Sequence, residues 1–169
     1  RLPAFRPGAA VEEPQWRAMG MKTVPSPESQ ALSRPLSIQH SALRTDFTWP
    51  VRVYYEDTDS GGVVYYANYL KFMERARTEW LRDMGFGQTE LLRDHSVIFV
   101  VRAVQVEYLR PAKFDDLLAV TVRFHAAGRS WIELDQTVEH PENGVLVRAR
   151  VKVVCVNGQT FKPVQIPAP

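Results

Sequence analysis

The sequence predicts an α+β domain in which one long helix packs on an antiparallel sheet. Three observations lead there. Residues 67–84 repeat their apolar side chains at three- and four-residue steps, the period of an amphipathic helix. The segments before and after alternate apolar and polar residues with period two, as half-buried strands do. The last four of those strands follow one another through short turns, and short turns join antiparallel neighbours.

The first strand sets Val51, Val53 and Tyr55 against Arg52, Tyr54 and Glu56, and the turn formers of residues 57–62, DTDSGG, end it. Tyr69, Phe72, Met73, Ala76, Trp80 and Met84 then share a helix face, with Lys71, Glu74, Arg75, Arg82 and Asp83 opposite and Gly85 closing the helix. A short helical turn is expected over Gln88–Asp94. Residues 97–109 open with the run Val97–Val101 and alternate through Val104, Val106 and Tyr108. Leu118, Val120, Val122 and Phe124 form a face of the next strand, and Gly128-Arg129 is a hairpin turn. Ile132, Leu134 and Val138 mark the fourth strand, and PENG at 141–144 is another turn. The last strand puts Val145, Val147, Ala149, Val151, Val153 and Cys155 on one face.

The chain has 169 residues, 45% hydrophobic and 24% charged, which suits one globular domain with an attached segment. Residues 1–45 hold 6 of the 12 prolines and only two aromatics, Phe5 and Trp16. That composition predicts a disordered extension, leaving 46–169 as the folded domain. A formal charge of +2 gives no reason to expect a nucleic-acid partner. A single cysteine, Cys155, excludes an internal disulfide and a zinc site built from cysteines. No apolar run approaches the roughly 20 residues of a transmembrane segment. Nor does the N-terminus show a signal-peptide stretch, so the expected location is cytoplasmic.

The densest chemical signal is Tyr54–Tyr69, YYEDTDSGGVVYYANY, between a strand and a helix. The spacing of Asp57, Asp59 and Gly62 partly fits a calcium loop. Asn68, however, stands where a bidentate Glu is needed. A phosphate cradle is opposed by three carboxylates and no lysine. Two readings stay open: an ordinary turn and helix cap, or a catalytic carboxylate beside the backbone N–H groups of a helix N-terminus.

The run Pro50–Tyr69, PVRVYYEDTDSGGVVYYANY, resembles the strand–loop–helix signature of the hot-dog-fold acyl-CoA thioesterases, in the YbgC branch of the 4-hydroxybenzoyl-CoA thioesterase family. ERARTE at 74–79, FVVR at 99–102, VEY at 106–108 with Pro111-Ala112, and VVCV at 153–156 continue the likeness in order. The resemblance implies a sheet wrapped around a long central helix, homodimers or homotetramers, and active sites completed across the dimer interface. It implies hydrolysis of an acyl-CoA or acyl-carrier-protein thioester to free acid and thiol. No cofactor is expected beyond the coenzyme A of the substrate, and no metal. Carried over residue by residue, Asp59 is the catalytic acid, acting as general base or nucleophile, and Tyr55 corresponds to a tyrosine on the preceding strand. The oxyanion site is formed by backbone N–H groups near Val64, Tyr65 and Tyr66. Members of this branch usually carry His where this chain has Tyr66, which turns attention from a protonating side chain to the backbone there.

Glu74 is the second-choice acid, since another hot-dog branch uses a helix glutamate. A hydratase of acyl thioesters needs a His beside the carboxylate, and none lies between His40 and His95. The alternative on the same fold is a non-catalytic acyl-CoA or acyl-carrier-protein binding module linked to envelope maintenance, as the branch's association with Tol–Pal suggests. Asp94-His95-Ser96 holds the residue types of a hydrolase triad but as direct neighbours, whereas triads converge from distant positions. Arg148, Arg150 and Lys152 share one face of the last strand, either an exposed surface or a stripe for coenzyme A phosphates.

Overall fold

The computed structural model describes residues 46–167, and the extension expected over 1–45 lies outside the described residues. The order is β1 (Phe47–Arg52), a 3-10 turn (Tyr55–Asp57), α1 (Asn68–Asp83), α2 (Gln88–His95), β2 (Val97–Tyr108), β3 (Leu117–Ala127), β4 (Trp131–His140) and β5 (Gly144–Asn157). All ladders are antiparallel, and the five strands lie in the order β1-β3-β4-β5-β2. The sheet wraps α1, which packs on β1, β3 and β4. Phe72, Met73 and Ala76 are fully buried with Leu118, Val120 and Val138 in one core. Burying one of the larger of these side chains contributes about 1.5–3 kcal/mol. Gly85 ends the helix as expected, at φ +90°. A smaller cluster of Leu81, Leu91, Val97 and Cys155 seats α2 against the far end of α1.

Three details depart from the sequence reading. First, β1 stops at Arg52, so Tyr55 lies in the 3-10 turn, not on the strand. The cause is local: the Asp57 carboxylate captures the Tyr54 N–H and curls the chain. Second, β2 does not neighbour β3. It pairs with β5 at the other side of the sheet, and residues 109–116 carry the chain across. Third, Leu146 is buried at 1% exposure while Val145 is only half-buried. A register shift between Val138 and Glu139 leaves Leu146 as an extra residue in β5.

Gln136 is the core's polar member, 1% exposed, at an inward position between Leu134 and Val138. Its Oε1 accepts from Arg77 Nη1 at 2.7 Å, and its Nε2 donates to Met73 O at 3.1 Å. The helix and the middle of the sheet are thereby joined by a hydrogen-bonded charge.

Candidate active site

The loop between β1 and α1 is built around Asp57. Only 5% of Asp57 is exposed, and its Oδ2 accepts the Tyr54 N–H at 2.9 Å. Its carbonyl accepts the Tyr65 N–H at 2.9 Å and Asn68 Nδ2 at 3.0 Å. Asn68 opens α1 and is itself buried. One residue thus ties the start of the loop to the start of the helix.

Asp59 stands at the exposed tip. Its Oδ1 accepts the Gly61 N–H at 2.8 Å, which fixes the carboxylate's orientation. Its carbonyl accepts the Gly62 N–H at 3.0 Å, and its own N–H donates to Val63 O at 3.0 Å. Among the described residues Oδ2 has no hydrogen bond and no cation pairs with the group. Gly62 sits at φ +73°, where glycine is favoured, and a Cβ on Gly61 would lie 3.0 Å from Asp59 Oδ1, close enough to press on the carboxylate. The result is an oriented carboxylate with one free oxygen.

Accounting for the backbone donors narrows the oxyanion candidates. The Val64 N–H donates to Ala112 O at 2.9 Å, the Tyr65 N–H to Asp57 O, and the Asn68 N–H to Tyr65 O at 2.8 Å. Among the described residues the N–H groups of Tyr66 and Ala67 donate to nothing. Ala67, which the sequence did not single out, is the residue before the first turn of α1, where unpaired donors and the helix dipole favour negative charge. The Tyr108 hydroxyl donates to Tyr66 O at 3.1 Å and its ring meets the Tyr66 ring edge-on at 6.3 Å. That bond holds the Tyr66–Ala67 peptide from its carbonyl side.

Tyr65 and Tyr66 pack ring against ring at 4.6 Å, and both are exposed. The neighbouring Tyr66 phenol pushes the Tyr65 hydroxyl above the usual phenol range, and the Asp59 charge adds to this. Asp59 and the two tyrosines therefore share one electrostatic neighbourhood. Beside them a cavity of about 250 Å³ is lined by Val64, Tyr66, Tyr69, Tyr108, Arg110 and Pro111. Asp59 does not line it.

The other sequence candidates fall elsewhere. Tyr55 is 76% exposed and stacks on Phe114 at 3.8 Å, with no hydrogen bond to Asp59 among the described residues. Glu74 is exposed on α1, accepts from Thr78 Oγ1 at 2.8 Å, and lines a different cavity. Arg150 and Lys152 are engaged by Asp135 at 2.8 Å and Glu133 at 3.0 Å, so most of the basic stripe is neutralised. Cys155 is fully buried, which pushes its thiol pKa up and makes it inert. Among the described residues no cluster of His, Cys, Asp and Glu could hold a metal ion, and no helix is long and apolar enough to cross a membrane.

Comparisons with known proteins place the chain in a family. Residues 53–169 match the family described as the thioesterase-like superfamily. The acyl-CoA thioester hydrolase YbgC of Escherichia coli O6:H1 is 47% identical over 123 residues, 73% of this chain and 91% of that protein. The acyl-CoA thioesterase YbgC of Haemophilus influenzae is 46% identical over 125 residues, 74% of this chain and 91% of that protein. Among solved structures, a probable thioesterase from Bartonella henselae superposes with a TM-score of 0.69 at 38% identity, covering 72% of this chain and 99% of that one. The chain belongs to the thioesterase-like superfamily, beside the YbgC thioesterases, and is a thioester hydrolase with the hot-dog fold.

Proposed function

We propose that the protein hydrolyses acyl-CoA thioesters with Asp59 as general base and the N–H groups of Tyr66 and Ala67 as the oxyanion site. The observation that carries this reading is the pairing, within one short loop, of an oriented carboxylate and two N–H groups at a helix start that are unpaired among the described residues. Attack of water on the thioester carbonyl puts negative charge on its oxygen. Fixed N–H donors at that point stabilise this charge without reorganisation. Asp59 Oδ2 takes the proton from the attacking water while Oδ1 is held by Gly61. The thiolate leaves readily, so no metal or serine nucleophile is required. Tyr55 has no bond to Asp59, and its ring on Phe114 suits contact with substrate better than orientation of the carboxylate.

The working unit on this proposal is a homodimer or larger. Among the described residues β2 is an edge strand paired on one side only, and it exposes Val101 at 49% and Val104 at 40%. Such an edge invites pairing with a second copy. Sedimentation of a stable, fully active monomer at micromolar concentration would contradict this.

The chemical route is tested by a single turnover in heavy-oxygen water on a thioester the enzyme hydrolyses. A general base delivers the label to the released acid alone. Label in the Asp59 carboxylate would show direct attack and an anhydride instead.

A further inference from the structure

A second cavity, of about 120 Å³, lies along the C-terminal half of α1, between that helix and β2, β4 and β5. Its walls include Phe99, Ile132, Leu134 and Val153, all apolar, and its polar lining is Arg77 and Trp80 together with Glu74, Thr78 and Gln88, the last three hydrogen-bonded to one another. Trp80 is 3% exposed, and its Nε1–H is buried with no partner among the described residues. Arg77 donates to Gln136 Oε1 at 2.7 Å, and that amide's other end is already used by Met73 O. No carboxylate forms an ion pair with Arg77 among the described residues. A buried N–H group is ordinarily partnered, and at this pocket the Trp80 N–H has no partner while the half-buried Arg77 guanidinium makes one hydrogen bond, to Gln136, among the described residues.

We propose that this cavity receives the far end of the acyl group and selects thioesters whose acyl chain ends in a carboxylate. The inference rests on the thioesterase reading above and goes on to name the substrate class. Arg and Trp offer donors only, so the matching group is an acceptor with no proton to give. A guanidinium with N–H groups to spare matches a carboxylate in both charge and shape. A cavity of about 150 Å³ takes a benzene ring, so this one has room for a carboxylate and a few methylenes against Phe99 and Leu134. Glu74 also lines the pocket, but it is exposed and its Oε1 is held by Thr78 Oγ1, so water screens its charge more than that of Arg77. Burial also pulls the Arg77 pKa below the usual arginine range, with Glu74 acting the other way. An incoming carboxylate would offset that penalty by charge attraction and hydrogen bonding.

The test is a steady-state comparison, by thiol release, of succinyl-, adipyl-, suberyl- and sebacyl-CoA with butyryl-, hexanoyl-, octanoyl- and decanoyl-CoA. At the length that reaches Arg77, kcat/KM should favour the carboxylate-ended substrate by about tenfold or more, as a hydrogen bond to a charged group allows. Arg77→Met should bring that ratio to about one or below, and Arg77→Lys should retain part of it. Wild-type enzyme that hydrolyses the plain acyl series but prefers no carboxylate at any length overturns the proposal and leaves the thioesterase reading standing. Absence of hydrolysis across both series would overturn the reading itself. If Arg77→Met fails to fold, the wild type still decides. Free adipate or suberate should raise its thermal midpoint where hexanoate and octanoate do not, and an equal response to both would overturn the proposal.

Discussion

Replacing Gln136 by Leu removes a buried amide that serves a charge. Its Oε1 takes a 2.7 Å bond from Arg77, and hydrogen bonds to charged groups contribute about 1.5–3 kcal/mol. Its Nε2 makes one fair bond to Met73 O at 3.1 Å and a long one to Thr121 O at 3.4 Å, together about 1 kcal/mol. The leucine returns roughly 1 kcal/mol, the apolar burial it adds beyond the methylenes of glutamine. The net loss is then about 1.5–3 kcal/mol. For a domain of this size that lowers the thermal midpoint by roughly 6–12 °C. The assay is thermal unfolding followed by circular dichroism at one fixed protein concentration, because oligomer formation makes the midpoint concentration-dependent. The double variant Arg77→Met with Gln136→Leu should lose less than the sum of the single variants, by about 1–2 kcal/mol, since it strands no partner. A Gln136→Leu midpoint indistinguishable from wild type, or strict additivity in the double variant, would refute the idea that this pair ties α1 to the sheet.

Tyr108→Phe keeps the ring contact with Tyr66 but loses the bond to Tyr66 O. kcat should fall about threefold to tenfold with KM little changed, the scale of one neutral hydrogen bond, and an unchanged kcat would remove Tyr108 from the positioning of that peptide. Gly62→Ala meets no atom within 4 Å of the new Cβ but must hold φ +73°, so stability should fall by about 1–2 kcal/mol in denaturant titration. Asp135 is held below the usual carboxylate range chiefly by its hydrogen bond from Arg150, with the charges of Arg150 and His125 adding to it. A depressed carboxylate stabilises the fold above its unfolded pKa near 3.8 and loses that contribution as the pH falls through the lower folded value. The gap in thermal midpoint between wild type and Asp135→Asn should therefore be present above about pH 4 and close as the pH falls below it. A gap that widens in acid would reverse the sign of this argument.

The central helix was readable because Phe72, Met73, Ala76 and Trp80 face one side with unbroken spacing and Gly85 stops them. The alternation of the later strands likewise predicted β3, β4 and β5. What stayed hidden depends on contacts between distant residues. Alternation does not name a neighbour, so nothing in residues 97–108 announces pairing with β5 in place of β3. The apolar-polar pattern ran on through Tyr55, although Asp57 had already ended the strand by capturing the Tyr54 N–H, and a side-chain bond of that kind leaves no period. At the site, the carboxylate and its glycines stood out in sequence. Which N–H groups remain free did not, because Val64 is claimed by Ala112, 48 residues further on. Gln136 could have been noticed as a polar residue at an inward position between Leu134 and Val138. Its partner Arg77 lies 59 residues away on another element, and only the fold brings the two together.

On the proposed mechanism Asp59 is the group that activates water. Asn in its place preserves size and the acceptor that Gly61 uses, and removes only the negative charge. Turnover of an acyl-CoA thioester that the wild type clearly hydrolyses should fall by about 10²–10⁴-fold in Asp59→Asn, with an unchanged circular dichroism spectrum and thermal midpoint. Near-full activity in a folded Asp59→Asn protein would contradict the assignment and shift attention to Glu74.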